Sequence, residues 1–116
     1  MNAPMSAADA VQHQLDAYNA RDLDRFVAVY ADDVKVFRPP AAEPSMEGKS
    51  ALAHFHGTQR FNLPHLHAEL VSRIVAGNKV VDHERVSGIR ETPFEVAVVY
   101  EVTGGLIRKV WFFPAE

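Results

Sequence analysis

Cysteine is absent from this chain. Its absence removes disulfides, thiolate metal sites and cysteine nucleophiles together. No apolar run approaches the ~20 residues of a membrane-spanning helix. The opening MNAPMSAADA has no basic region leading into an apolar core, so no secretory signal is expected and a soluble, cytoplasmic domain is the default. Neither sign of charge dominates. The 12 lysines and arginines stand against 15 aspartates and glutamates, the net charge is -3, and the basic residues are scattered. That argues against nucleic acid or an anionic membrane as a partner. Also missing are a glycine-rich phosphate loop, a G-x-S-x-G elbow, internal repeats and low-complexity segments.

What is present fits one domain spanning residues 1–116, with Met1–Met5 as a loose tail. Ser6, with Asp9 three residues on, predicts a helix start, and Val11, Leu15 and Tyr18 then recur at helical spacing with Gln14 beside them. Asp22 can cap a second helix with Leu23, Phe26, Val27 and Tyr30 on its buried stripe, closed by Asp32-Asp33. Val34–Phe37 reads as a short strand ended by Arg38-Pro39-Pro40, because proline cannot donate to a ladder. Residues 41–48 read as an irregular loop. Ser50 to about Gln59 reads as a third helix with Leu52 and Phe55 facing inward. His65–Val75 alternates as a strand, and the runs 94–102 and 106–113 are strands apolar on both faces. The order predicts an α+β domain with helices packed on one side of an antiparallel sheet.

The run Lys79–Ser87 carries the chemical interest. Turn residues bracket it, and alternation puts Val80, Asp82, Glu84 and Val86 on one face and Lys79, Val81, His83, Arg85 and Ser87 on the other. Two carboxylates thus share the more aliphatic face. A three-residue loop, Ala76-Gly77-Asn78, would pair Glu69 with Arg85, Leu70 with Glu84, Ser72 with Asp82 and Ile74 with Val80. On one strand face Asp82 and Glu84 lie roughly 7 Å apart. In an apolar pocket their mutual repulsion and poor solvation raise at least one pKa, leaving an acid beside a base. The alternative is that Arg38 or a histidine neutralises them as a structural ion pair.

Histidine is frequent, with six residues including the pairs His54/His56 and His65/His67. Two rings two residues apart on a strand could begin a zinc site. His65 and His67, however, fall on the outer face, and His54 and His56 diverge around a helix. All but His56 therefore read as surface residues, and no metal is expected.

The runs VQHQLDAYNARDLDRFVAVYADDVKVFRPP, EGKSALAHFH, GNKVVDHERVSG and GLIRKVWFF resemble the nuclear transport factor 2-like superfamily. Within it they are most similar to SnoaL-like polyketide cyclases and ketosteroid isomerases. The resemblance implies a cone-shaped α+β fold, a curved antiparallel sheet with three helices enclosing a mostly apolar pocket, and a homodimer formed by the outer sheet face. It also implies that Val80, Asp82, Glu84 and Val86 point inward. The isomerase chemistry does not carry over. Arg38 stands where the general-base aspartate would be. Gln14, with Tyr18 one turn on, stands where the oxyanion-hole tyrosine would be, and Val98 falls at or near the second oxyanion-hole acid. Tyr30 matches a tyrosine of the isomerases' hydrogen-bond network, and His56 stands where another would be. Tyr18, Tyr30 and Phe55 belong to the core, which in this fold nearly coincides with the pocket wall, so Arg38, Tyr18, Gln14, Phe55 and Val98 are expected to contact the substrate.

Two functions follow. The first is an enzyme without cofactor doing acid–base chemistry on a small, mostly apolar molecule: isomerisation, cyclisation or epoxide hydration. Asp82 and Glu84 would be the acid–base pair, Tyr30 and His56 would position or donate, and Arg38 would steady developing negative charge. The second is a non-catalytic binding or assembly module of the same fold. A hollow pocket holding both carboxylates favours the first, and a pocket filled by its own side chains favours the second.

Overall fold

The computed structural model describes residues 5–115; apart from Met5, the tail expected at Met1–Met5 lies outside them. Helix α1 (Ala7–Ala20) begins where the Ser6 hydroxyl accepts the Asp9 N–H at 3.1 Å, and ends at Arg21, whose left-handed φ of 54° returns its N–H to the last turn. Its buried side is Ala10, Val11, Gln14, Leu15 and Ala17, so one amide sits on an otherwise apolar stripe. Asp22 caps the short α2 (Leu23–Val27) in the same manner, through the Arg25 N–H. Strand β1 (Tyr30–Phe37) starts four residues earlier than its valine run suggests. Asp32 and Asp33, expected to close α2, lie exposed within it, where the pairing with β6 slips. A two-residue strand β2 (Met46–Glu47) forms inside the segment expected to be irregular, followed by α3 (Lys49–Gln59).

Strands β3 (His67–Ala76), β4 (Lys79–Ser87), β5 (Phe94–Thr103) and β6 (Leu106–Pro114) form a meander. The sheet has the order β2-β1-β6-β5-β4-β3. Contrary to the expected antiparallel sheet, it is mixed: β1 runs parallel to β6, because the chain crosses α3 and the whole meander before returning to β1. All three helices pack on the inner face, against a core that includes Val11, Leu15, Phe26, Val80, Val98 and Ile107. Edge strand β3 is tied to α1 by Asn19, whose side chain donates to the Ala68 carbonyl at 2.9 Å and accepts the Ala68 N–H at 2.8 Å. That amide does for the edge what another strand would do. No helix among the described residues is long and apolar enough to cross a membrane.

The β3–β4 hairpin corrects the expected register and preserves part of it. The turn has two residues, Gly77-Asn78, with Ala76 opposite Lys79 and Gly77 at φ 60°. Glycine first in a two-residue turn follows the right-handed twist of the flanking strands better than the expected three-residue loop. Val75 rather than Ile74 therefore meets Val80, and Ile74 turns outward opposite Val81, 64% exposed. A bulge at Val71 then absorbs one residue, which restores Leu70 opposite Glu84 and Glu69 opposite Arg85. Between turn and bulge, the residue facing Asp82 is Arg73, not Ser72.

Candidate active site

Between the inner sheet face and the helices lies a cavity of about 260 Å³. This is slightly below the roughly 300–1,000 Å³ usual for small-molecule sites, a volume that only a small molecule would fit. Of the expected site residues, Gln14, Tyr18, Tyr30, Arg38, Phe55, His56 and Glu84 line it, and Asp82 and Val98 do not. Val98 is fully buried in the core opposite Asp82.

The two carboxylates on β4 have separate fates. Asp82 is wholly buried and gripped by Arg73, which donates from Nε to Oδ1 at 2.7 Å and from Nη2 to Oδ2 at 2.9 Å. The same guanidinium donates from Nη1 to Gln12 Oε1 at 3.0 Å, tying the pair to α1. Asp82 is thus the inner carboxylate of a structural ion pair, and its neutralising partner is Arg73 rather than Arg38 or a histidine. It is not positioned as one half of an acid–base pair over the cavity. Two residues on, Glu84 sits between Leu70 and Val96 on the neighbouring strands and Val86 on its own. It is 6% exposed, and its Oε2 has no hydrogen-bond partner among the described residues. Burial, then the charge of Asp82, push its pKa from 4.5 up to about 7, while Arg73 pulls the other way. One strand face therefore holds an ion-paired aspartate and a carboxyl whose pKa lies at about 7.

Lining the same cavity is a short polar chain. Tyr30 Oη donates to Gln14 Oε1 at 3.3 Å, and Gln14 Nε2 donates to Tyr100 Oη at 3.1 Å. Tyr100 is expected neither as polar nor as a site residue, because the valine-rich β5 gives no register in the sequence. Alternation from Val96 through Val98 carries it inward. Its hydroxyl hydrogen has no acceptor among the described residues. Burial, followed by the charge of Glu84, holds the Tyr30 and Tyr100 phenols well above their usual pKa, so both stay protonated. Tyr18 is pushed up to about 12, chiefly by burial.

His56 lies among Phe26, Phe55, Phe61 and Tyr18, with centroids 4.5–6.3 Å away. Its Nδ1 is 2.9 Å from the Leu52 carbonyl, which only accepts, so Nδ1 carries the hydrogen. Burial lowers its pKa to about 4, so the ring is neutral at physiological pH. His54, His65 and His67 are exposed, and no group of three or more His, Asp or Glu side chains among the described residues is placed to hold a metal ion. Arg60, at the end of α3, and Arg90, beyond β4, also line the cavity. Neither carries a sequence signal that marks it out from other surface arginines.

Residues 11–110 match the family model of the SnoaL-like domain. The chain belongs to the SnoaL-like family. An uncharacterised cystatin-fold protein from Novosphingobium aromaticivorans superposes with a TM-score of 0.84 at 26% identity, over 94% of this chain and 98% of its own. A protein from Kribbella flavida, provisionally described as a ketosteroid isomerase, gives 0.82 at 20% identity over 95% and 78%. An NTF2-like protein of unknown function from Cytophaga hutchinsonii gives 0.81 at 12% identity over 99% and 95%. This SnoaL-like chain therefore has the NTF2-like fold, a curved mixed sheet of six strands with three helices.

Proposed function

We propose that this SnoaL-like protein is a cofactor-independent enzyme of the isomerase or cyclase type that moves a proton on a small, mostly apolar carbonyl compound. The observation that carries this reading is Glu84: an inward carboxyl whose Oε2 has no partner among the described residues, in a mostly apolar cavity, with a pKa near the working pH. As carboxylate, Glu84 takes a proton from the carbon beside the carbonyl. The C–H electron pair becomes the C=C bond of an enolate, and the carbonyl π pair moves onto oxygen. The Tyr100 hydroxyl, polarised by the Tyr30–Gln14 chain behind it, donates to that oxygen. Where a β,γ double bond extends the enolate to a dienolate, return of the proton from Glu84 to the γ-carbon re-forms the carbonyl and completes an isomerisation. Alternatively the enolate carbon attacks a second carbonyl, whose π pair moves onto its oxygen and takes the proton from Glu84, closing a ring. Neutral His56, Tyr18 and Phe55 shape the apolar wall.

The partner proposed for the protein is a second copy of itself. Across the outer sheet face the register aligns Phe37, Trp111, Val99, Val81 and Ile74 into one apolar row over five strands. Phe37 and Trp111 stack at 5.6 Å. No helix among the described residues covers that face, and a paired sheet would.

The test is deuterium incorporation in heavy water, followed by NMR, with α-tetralone and a β,γ-unsaturated cyclohexenone as probes. Wild-type protein should accelerate exchange or double-bond migration, and Glu84→Gln should abolish the effect. Equal rates for both proteins would refute proton transfer by Glu84. Ligand binding without any exchange would instead favour a non-catalytic binding module.

A further inference from the structure

The cavity is polarised along its length. Its inner part holds Glu84 and the Tyr30–Gln14–Tyr100 chain, all buried. At the outer part, three arginines from three separate elements line it: Arg38 just after β1, Arg60 at the end of α3 and Arg90 in the β4–β5 connection. Arg38 and Arg90 are exposed and Arg60 is partly buried, which marks this as the mouth. The backbone turn that leads to Arg90 depends on Gly88, at φ 89°, where a Cβ would collide with the His65 carbonyl.

Each guanidinium lies over an aromatic ring: Arg38 over Phe112 at 5.0 Å, Arg60 over Phe55 at 4.8 Å and Arg90 over Phe94 at 4.1 Å. Stacking fixes the plane of a guanidinium and leaves its edge N–H groups free to donate. Arginine ion pairs among the described residues are made by Arg25, Arg73 and Arg108, not by these three. One donor of Arg60 goes to the Gln59 carbonyl at 2.8 Å. Among the described residues, Glu84, at the inner end, is the only acidic one lining the cavity. A cationic rim thus occurs on a chain whose net charge is -3. Burial lowers the pKa of Arg60, and the nearby charge of Arg38 lowers it further. An anion at the rim would relieve that repulsion.

We infer that the ligand is an anionic amphiphile: an apolar or aromatic body that enters toward Glu84, ending in an oxyanion head held at the rim by Arg38, Arg60 and Arg90. This rests on the reading of the cavity as a small-molecule site and narrows its ligand class. It also orients the ligand, since the head fixes which end reaches the carboxyl.

The experiment compares two fluorescent probes, anilinonaphthalenesulfonate and N-phenylnaphthylamine, which share a ring system and differ by the sulfonate. The neutral amine is the more apolar, so an uncharged cavity would prefer it. The expected result is about tenfold or greater preference for the sulfonate, the size of a charge-assisted hydrogen bond. Arg38→Gln, Arg60→Gln and Arg90→Gln should each erode that preference while binding of the neutral amine, which reports an intact cavity, stays unchanged. Equal or tighter binding of the neutral probe by the wild type would overturn the inference and leave the small-molecule site standing. A preference for the sulfonate that persists in the triple variant would also overturn it. If neither probe binds, the cavity is not a small-molecule site and both readings fall.

Discussion

Arg73 and Asp82 meet across the β3–β4 hairpin in a two-pronged ion pair, at 2.7 and 2.9 Å, with the aspartate wholly buried. They meet because the two-residue Gly77-Asn78 turn sets Arg73 opposite Asp82, and the bulge at Val71 then returns the rest of β3 to its other register. Arg73→Met should therefore cost roughly 3–5 kcal/mol in chemical denaturation, since it strands a charge away from water. The double variant Arg73→Met/Asp82→Leu should recover most of that loss. A single variant as stable as wild type would show that the pair contributes nothing.

Glu84 should impose the opposite kind of pH dependence from an ordinary surface carboxylate. Its folded pKa of about 7 lies above the ordinary 4.5. Below about 4.5 both folded and unfolded chains hold the proton, and the carboxyl has no cost. As pH rises from 4.5 to 7 the unfolded chain ionises first, so stability falls, and above 7 the full cost is in place, on the order of 3 kcal/mol. Glu84→Gln should therefore raise Tm little at pH 5 and most at pH 8. His56, held near 4, has the opposite sign: it contributes stability above 6.5 that is lost as pH falls toward 4. The difference between variant and wild type cancels that contribution. A Tm difference independent of pH would contradict the Glu84 assignment.

The elements that announce themselves locally were legible in the sequence. Ser6 and Asp22 mark helix starts because capping is a contact within three residues. The inward face of Lys79–Ser87 follows from period-two alternation, and Val80, Asp82, Glu84 and Val86 are all buried. What needs pairing information was not legible. A bulge has no local signature in His65–Val75, so Arg73 gave no sign of turning inward, and Asp82 and Glu84 looked equivalent. Tyr100 was hidden because both faces of β5 are apolar, and the parallel β1–β6 pairing joins segments about 75 residues apart in the chain.

Tyr100→Phe should lower turnover roughly 100- to 1,000-fold, the usual cost of one oxyanion donor. It also leaves the Gln14 amide without its acceptor, worth about 1–3 kcal/mol of stability. Tyr100→Phe with unchanged turnover on a substrate that Glu84→Gln abolishes would remove Tyr100 from the mechanism.

Trp111→Glu should yield a monomer in sedimentation at micromolar concentration, because it places a charge in the middle of the outer apolar row. Wild type should sediment as a dimer. A wild-type monomer would refute the proposed self-association.

The most direct test of the central claim is a carbon-13 NMR titration of the glutamate carboxyls, with the Glu84 resonance assigned by its loss in Glu84→Gln. A midpoint near 7 is the result expected of an unpartnered carboxyl in this cavity. A midpoint near 4.5 would mean that Glu84 is solvated or paired in solution, and it could not serve as the proton-transfer group.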